Sequence, residues 1–113
     1  MNLRISSAGT KRWYNEQGEL HRTDGPAVIY PNGFQSWHFN GNLHRTNGPA
    51  MIHPSGCQFW YINGMYHRID GPAVIRSNGS TCWFIHGNQL TEAEYYDIIQ
   101  SEEHLNWYLL KIL

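Results

Sequence analysis

Gly-Pro-Ala occurs at Gly25-Pro26-Ala27, Gly48-Pro49-Ala50 and Gly71-Pro72-Ala73, a constant interval of 23 residues. His21-Arg22, His44-Arg45 and His67-Arg68 recur at the same interval, and tryptophans stand at Trp13, Trp37, Trp60 and Trp83. A fixed period of this size leaves few folds open. Each unit is one supersecondary element that cannot bury its own apolar side, so the units must stack on one another. The unit reads A-x-I-x-x-x-G-x-x-x-W-x-x-N-G-x-L-H-R-x-D-G-P, and Leu3, Ile5, Gly9 and Trp13 fit its opening. Four units follow, over roughly 3–26, 27–49, 50–72 and 73–90, within an array spanning 1–90. The fourth has Gln89-Leu90-Thr91-Glu92 where the others have His-Arg and the Asp-Gly-Pro turn.

Within a unit, Ala27 to Tyr30 is β-rich, Pro31-Asn32-Gly33 is turn chemistry and Phe34 to Phe39 reads as the return strand. Asn40-Gly41 then reverses the chain again. Alternation along a strand places Ala27, Ile29, Ala50, Ile52, Ala73 and Ile75 on one face. Trp37, Trp60 and Trp83 share a face with Phe39, Ile62 and Ile85. The expectation is that the repeated Ala, Ile and Trp positions form the core face. Val28, Met51, Val74, Tyr30, His53 and Arg76 then fall on an exposed face.

The unit resembles the MORN-like repeats, in the divergent form found in bacteriophage and giant-virus proteins, and is similar to the antitoxin-type variant of that repeat. Trp60-Tyr61-Ile62-Asn63-Gly64 is the copy most like the family pattern, whereas Trp37-His38 and Trp83-Phe84 depart at the second position. The resemblance covers residues 3–90. It implies an elongated antiparallel sheet acting as a binding or scaffold module; it does not imply an enzyme, and it names no partner. The fold expected is therefore mainly β, with four hairpin repeats closed by one or two C-terminal helices.

Residues 91–113 change period. Thr91-Glu92-Ala93-Glu94 has the form of a capping box, with acidic residues that suit a helix N-terminus. Ser101-Glu102-Glu103 reads as a second start or a bend, and Leu105, Leu109 and Ile112 follow helical spacing. This segment is expected to cap the sheet, the alternative being a helix that docks a partner or forms a homodimer. Residues 1–88 hold seven Lys/Arg against four acids, a balance of +3, and residues 89–113 hold one against five, a balance of −4. The sum is the −1 of the whole chain.

Composition narrows the functional classes. With 113 residues, 41% of them hydrophobic, five Trp, seven Tyr and four Phe, the chain suits one folded domain and not a disordered tail. A net charge of −1 gives no global basic field for DNA or anionic lipid. No apolar run reaches the roughly 18 residues a membrane-spanning helix needs. Residues Met1 to Thr10 lack the apolar core of a secretory signal, so a cytoplasmic location is expected, in the host cell if the gene is a phage's.

His-Arg-x-Asp has the elements of a nuclease site, a base, a phosphate clamp and a carboxylate. The middle unit argues against it, because Asn47 stands where the others have Asp24 and Asp70, and an amide cannot replace a catalytic carboxylate. A short oxygen accepting a backbone amide in a turn before Gly explains both residue types. His21, His44 and His67 fall about 10 Å apart in successive two-stranded units, too far to share one zinc ion. Cys57 and Cys82 take different positions in the unit and form no C-x-x-C, so they read as reduced strand residues. No nucleophile elbow, Walker loop or dinucleotide fingerprint occurs, and neither enzyme activity nor a cofactor or metal is expected.

The candidate partner-binding residues are an aromatic column, Tyr14, His38, Tyr61 and Phe84, and an arginine ladder, Arg22, Arg45 and Arg68. A protein partner is expected, a host or a toxin protein. The resemblance makes the concrete form a phage-type inhibitor that occludes a host defence protein such as a CRISPR component. An antitoxin-type or scaffolding module is the alternative, and a binder of single-stranded nucleic acid or nucleotides is the third reading. A lipid-headgroup role, which the resemblance also implies, has no polybasic cluster to serve it.

Overall fold

The structure, a computed structural model, describes residues 1–101. The second helical start at Glu102-Glu103 and the apolar positions Leu105, Leu109 and Ile112 lie outside the described residues. Each unit supplies one hairpin to a common antiparallel sheet. The hairpins are β1 (Asn2–Ile5) with β2 (Lys11–Tyr14), β3 (Val28–Ile29) with β4 (Gln35–Ser36), β7 (Met51–Ile52) with β8 (Gln58–Phe59), and β11 (Val74–Ile75) with β12 (Thr81–Ile85). Together with β13 (Asn88–Leu90) they form a nine-stranded sheet in the order β1-β2-β3-β4-β7-β8-β11-β12-β13. The mainly β array of four hairpins is therefore the architecture. The described residues span 48 × 33 × 18 Å.

The return strand differs from its expected form. In the second and third units it is not one strand but two short ones, divided at the tryptophan. β5 (His38–Phe39) pairs with β6 (Asn42–Leu43), and β9 (Tyr61–Ile62) pairs with β10 (Met65–Tyr66), as separate hairpins. The cause is in the hydrogen bonding of the tryptophan itself. Trp37 N–H donates to the Ala50 carbonyl of the next unit at 2.7 Å, while its carbonyl accepts from His44 N–H of its own unit at 3.0 Å. Trp60 does the same in the third unit, and Trp13 makes the same two bonds inside β2, where the strand ends one residue later at Tyr14. In the second and third units the tryptophan thus carries the strand out of the main sheet and into a side hairpin. Asn40-Gly41 and Asn63-Gly64 close those hairpins with positive φ at both positions, 47° and 88° in the first, which is the turn that matches strand twist.

Burial also departs from the expected division of faces. The register runs Arg12, Val28, Ser36, Met51, Phe59, Val74, Cys82 straight across six strand pairings. Val28, Val74 and Ser36 in that row are buried, although the alternation places them on the exposed face. On the other face Ala27, Ala50, Ala73 and Ile85 are completely buried, but Ile29, Ile52, Ile75 and the tryptophans Trp13, Trp37, Trp60 and Trp83 are only half covered and Ile5 is exposed. A single sheet has no second layer to make one side the interior. Both sides are instead covered by their own large side chains.

The C-terminal element α1 (Glu92–Gln100) starts at Thr91 with the expected capping box: Thr91 Oγ1 accepts from Glu94 N–H, and Glu94 Oε1 accepts from Thr91 N–H. Its Tyr95 is buried against Trp83, ring centres 4.8 Å apart. The Tyr95 hydroxyl donates to the Arg68 carbonyl at 2.7 Å and accepts from Gly71 N–H at 3.2 Å. In the first three units an arginine lies over the tryptophan. The fourth has none, and Tyr95 with Tyr96 packs on Trp83 in its place. This helix is a cap. Among the described residues no helix is long and apolar enough to cross a membrane.

Candidate binding faces

The arginine ladder is built into the repeats. In each of the first three units the guanidinium lies 3.8 Å over its own tryptophan: Arg22 on Trp13, Arg45 on Trp37, Arg68 on Trp60. Nη1 donates to the carbonyl of the motif proline four residues on, Pro26, Pro49 or Pro72. Nε donates to Asp24 at 2.9 Å, to Asn47 at 3.2 Å and to Asp70 at 2.8 Å. The short oxygen before glycine therefore accepts from arginine two residues back, and not from a backbone amide as the turn chemistry suggested. Arg22 holds the Asp24 carboxyl below its ordinary pKa, first by that hydrogen bond and then by its charge.

The histidines join units in the same way. His21 Nδ1 accepts from Asn40 N–H at 3.0 Å, His44 from Asn63 at 3.0 Å, and His67 from His86 at 2.8 Å. Each acceptor nitrogen must be unprotonated, so each ring carries its proton on Nε2. His21 also packs on Phe39 of the next unit, ring centres 4.6 Å apart. Among the described residues no group of three His, Cys, Asp or Glu gathers to hold a metal ion.

The expected aromatic column lies on the opposite face. In β2, Tyr14 alternates with Trp13, and in the unbroken β12, Phe84 alternates with Trp83 and shares its side with Cys82. His38 bonds Ser36 Oγ at 2.9 Å on that same side, and burial lowers its pKa. Tyr61 and Phe84 do not touch directly. Tyr66 stands between them, stacked on Tyr61 at 4.4 Å and 4.8 Å from Phe84. The structure therefore joins Tyr61 and Phe84 through Tyr66, leaves Tyr14 beside Arg4 and His38 beside Ser36 without a ring contact to them among the described residues, and sets the arginines on the tryptophans of the other face.

Sequence reasoning missed the length of this aromatic run. Tyr30, Phe34, His53, Phe59 and Tyr66 follow at 4.8, 4.9, 5.5 and 6.3 Å between ring centres, running from the residue after β3 to Tyr66 of the β9–β10 side hairpin. Arg4 lies over Tyr14 at 5.2 Å and Arg12 over Tyr30 at 5.8 Å. Tyr66 escaped notice because its position is Leu20 and Leu43 in the earlier units. Beyond the run, Arg76 Nη1 donates to Cys82 Sγ and Ser77 N–H to Cys57 Sγ, both at 3.3 Å, and both thiols are free.

The arginine face is grooved. A groove of about 560 Å³ lies between the first and second units, with Arg22, Asp24, Trp37, Phe39, His44 and Arg45 among its walls. Its counterpart of about 590 Å³ lies between the second and third, walled by Arg45, Trp60, Ile62, Arg68, Ile69 and Asp70. Compared with protein-family models, curated proteins and solved structures, the chain has no significant match in any of the three.

Proposed function

We propose that this chain is a non-enzymatic protein-binding module of MORN-like repeats whose contact surface is the aromatic face. The observation that carries this reading is the run from Tyr30 to Phe84, a nearly unbroken series of rings across one side of the sheet. Half-exposed aromatics gathered in one patch are costly to leave in water and are the residues enriched at the centres of protein interfaces. The concrete form, which rests on the family resemblance and on no residue here, is a phage-type inhibitor that occludes a host defence protein in the host cytoplasm. An antitoxin-type or scaffolding module belongs to the same class.

One observation favours the nucleic-acid reading: Arg4 and Arg12 flank Tyr14 and Tyr30, and an aromatic beside a cation is a stacking platform for a base and its phosphate. Affinity purification of the tagged protein from a bacterial lysate separates the two. A stoichiometric protein retained through nuclease and high salt, and lost with Tyr30→Ala plus Tyr61→Ala, supports the module. Recovery that collapses with nuclease and falls steeply with salt puts nucleic acid first.

A further inference from the structure

The three arginines of the ladder are not electrostatically equal. Arg22 and Arg68 each pair with a carboxylate, Asp24 and Asp70. Arg45 meets the neutral amide of Asn47 instead. Its Nε and Nη1 are engaged, by Asn47 and the Pro49 carbonyl, while Nη2 has no hydrogen-bond partner among the described residues. Arg45, Thr46 and Asn47 border both grooves, so this one uncompensated guanidinium sits on the saddle between them. A half-buried cation with free N–H donors and no anion attracts an oxyanion strongly.

We propose that this saddle is a binding site for an extended acidic peptide segment, with one carboxylate on Arg45 and an apolar side chain in each groove. Two features choose a peptide over a nucleic acid. The charge pattern along the ladder is a single positive centre between two neutral ion pairs, and the carboxylates of those pairs are 73% and 80% exposed. A phosphodiester chain would set further negative charges against Asp24 and Asp70, whereas a lone glutamate or aspartate between apolar residues meets one cation only. The spacing agrees. Successive units lie two strands, about 10 Å, apart, and an extended polyproline-type segment returns a side chain to the same side every three residues, about 9.3 Å. The aromatic and aliphatic walls, Trp37 and Phe39 on one side, Trp60, Ile62 and Ile69 on the other, suit those side chains. The site lies on the face opposite the aromatic run, so it stands or falls independently of the function proposed above.

Titration of the whole chain with acetyl-Pro-Leu-Pro-Glu-Leu-Pro-amide, followed by NMR at the Arg45 Nε–H and the Trp37 and Trp60 indole N–H signals, tests this. These signals should shift in a saturable way. Replacing the peptide's Glu by Gln should weaken binding about tenfold or more, the loss of a charge-assisted bond. Asn47→Asp, which installs the carboxylate the other two units already carry, should weaken it equally while the melting temperature holds or rises. Asp24→Asn should leave binding intact or tighten it. No shift with the Glu peptide at millimolar concentration, an equal response in Asn47→Asp, or a stronger response to a thymidine hexanucleotide than to the peptide would each overturn the proposal.

Discussion

In His-Arg-x-Asp-Gly-Pro the acidic residue, the glycine and the proline all answer to the position of one guanidinium, while the histidine serves the next unit. Tryptophan lies beneath it, the acidic or amide residue fixes Nε, the proline carbonyl takes Nη1, and glycine leaves room on its outer side. A Cβ at Gly71 would stand 2.8 Å from Arg68 Cζ, inside any real contact distance, and the same clash occurs at Gly25 and Gly48. Gly71→Ala should therefore cost about 1–3 kcal/mol, the usual range for overpacking. In an Arg68→Ala background its added cost should fall below about 0.5 kcal/mol, because the two effects share one contact. Equal costs in both backgrounds, read from urea unfolding, would mean that the glycine is needed for some other reason. His67 gives a prediction in pH. Burial, and then the neighbouring charge of His86, hold its pKa down to about 4. The folded state then binds fewer protons than the unfolded one, whose histidine titrates near 6.5. The stabilisation is complete above about pH 6.5 and is lost as pH falls toward 4, by about 3 kcal/mol in all. His67→Asn keeps an acceptor for the His86 amide and should flatten that part of the stability profile. An unchanged acid slope would place the pH sensitivity elsewhere.

At the scale of the element, the period announces the units and their order, and the Asn-Gly pairs announce the side turns. What the pattern hides is the double pairing of Trp13, Trp37 and Trp60, since nothing in Trp37 or its neighbours says that its amide serves one unit and its carbonyl another. Two-residue strands also carry too little alternation to reveal that Val28 and Val74 are covered. The aromatic residues were visible singly, but their joining through Tyr66 depends on the side hairpin folding over the sheet. The cap was readable at Thr91 and unreadable at Tyr95, whose hydroxyl reaches back 27 residues to the Arg68 carbonyl. Removing that oxygen leaves a carbonyl and the Gly71 amide unpaired. Tyr95→Phe should cost about 1–3 kcal/mol, and Tyr95→Ala about 3–5 kcal/mol through lost packing as well. Hydrogen exchange should show the loss first at Trp83 and its neighbours. Uniform loss across all four units would mean that the helix supports the array as a whole and not its end.

In the whole molecule the units are joined by the same few bonds each time. Gly41 N–H donates to Leu20, Gly64 to Leu43 and Gly87 to Tyr66, all at 2.8 Å. Arg22, Arg45 and Arg68 amides donate to His38, Tyr61 and Phe84 carbonyls. An array of this kind has a stability that is close to a sum over units and their interfaces. Its interfaces should then be interchangeable. A second copy of residues 50–72 placed between Pro72 and Ala73 recreates the natural Pro-Ala junction and gives the first copy's Arg68 amide a Tyr61 carbonyl, the partner that Arg45 already has. The new tryptophan receives its own arginine, and Tyr95 still closes the last unit. The lengthened chain should fold as a monomer with two more sheet strands, extended by about 10 Å. Its urea dependence should steepen in proportion to the surface the extra unit buries, and its midpoint should stand at or above that of the parent. A lower midpoint would show that the third and fourth units fit each other in a way the second and third do not, and that the repetition in sequence overstates the repetition in energy.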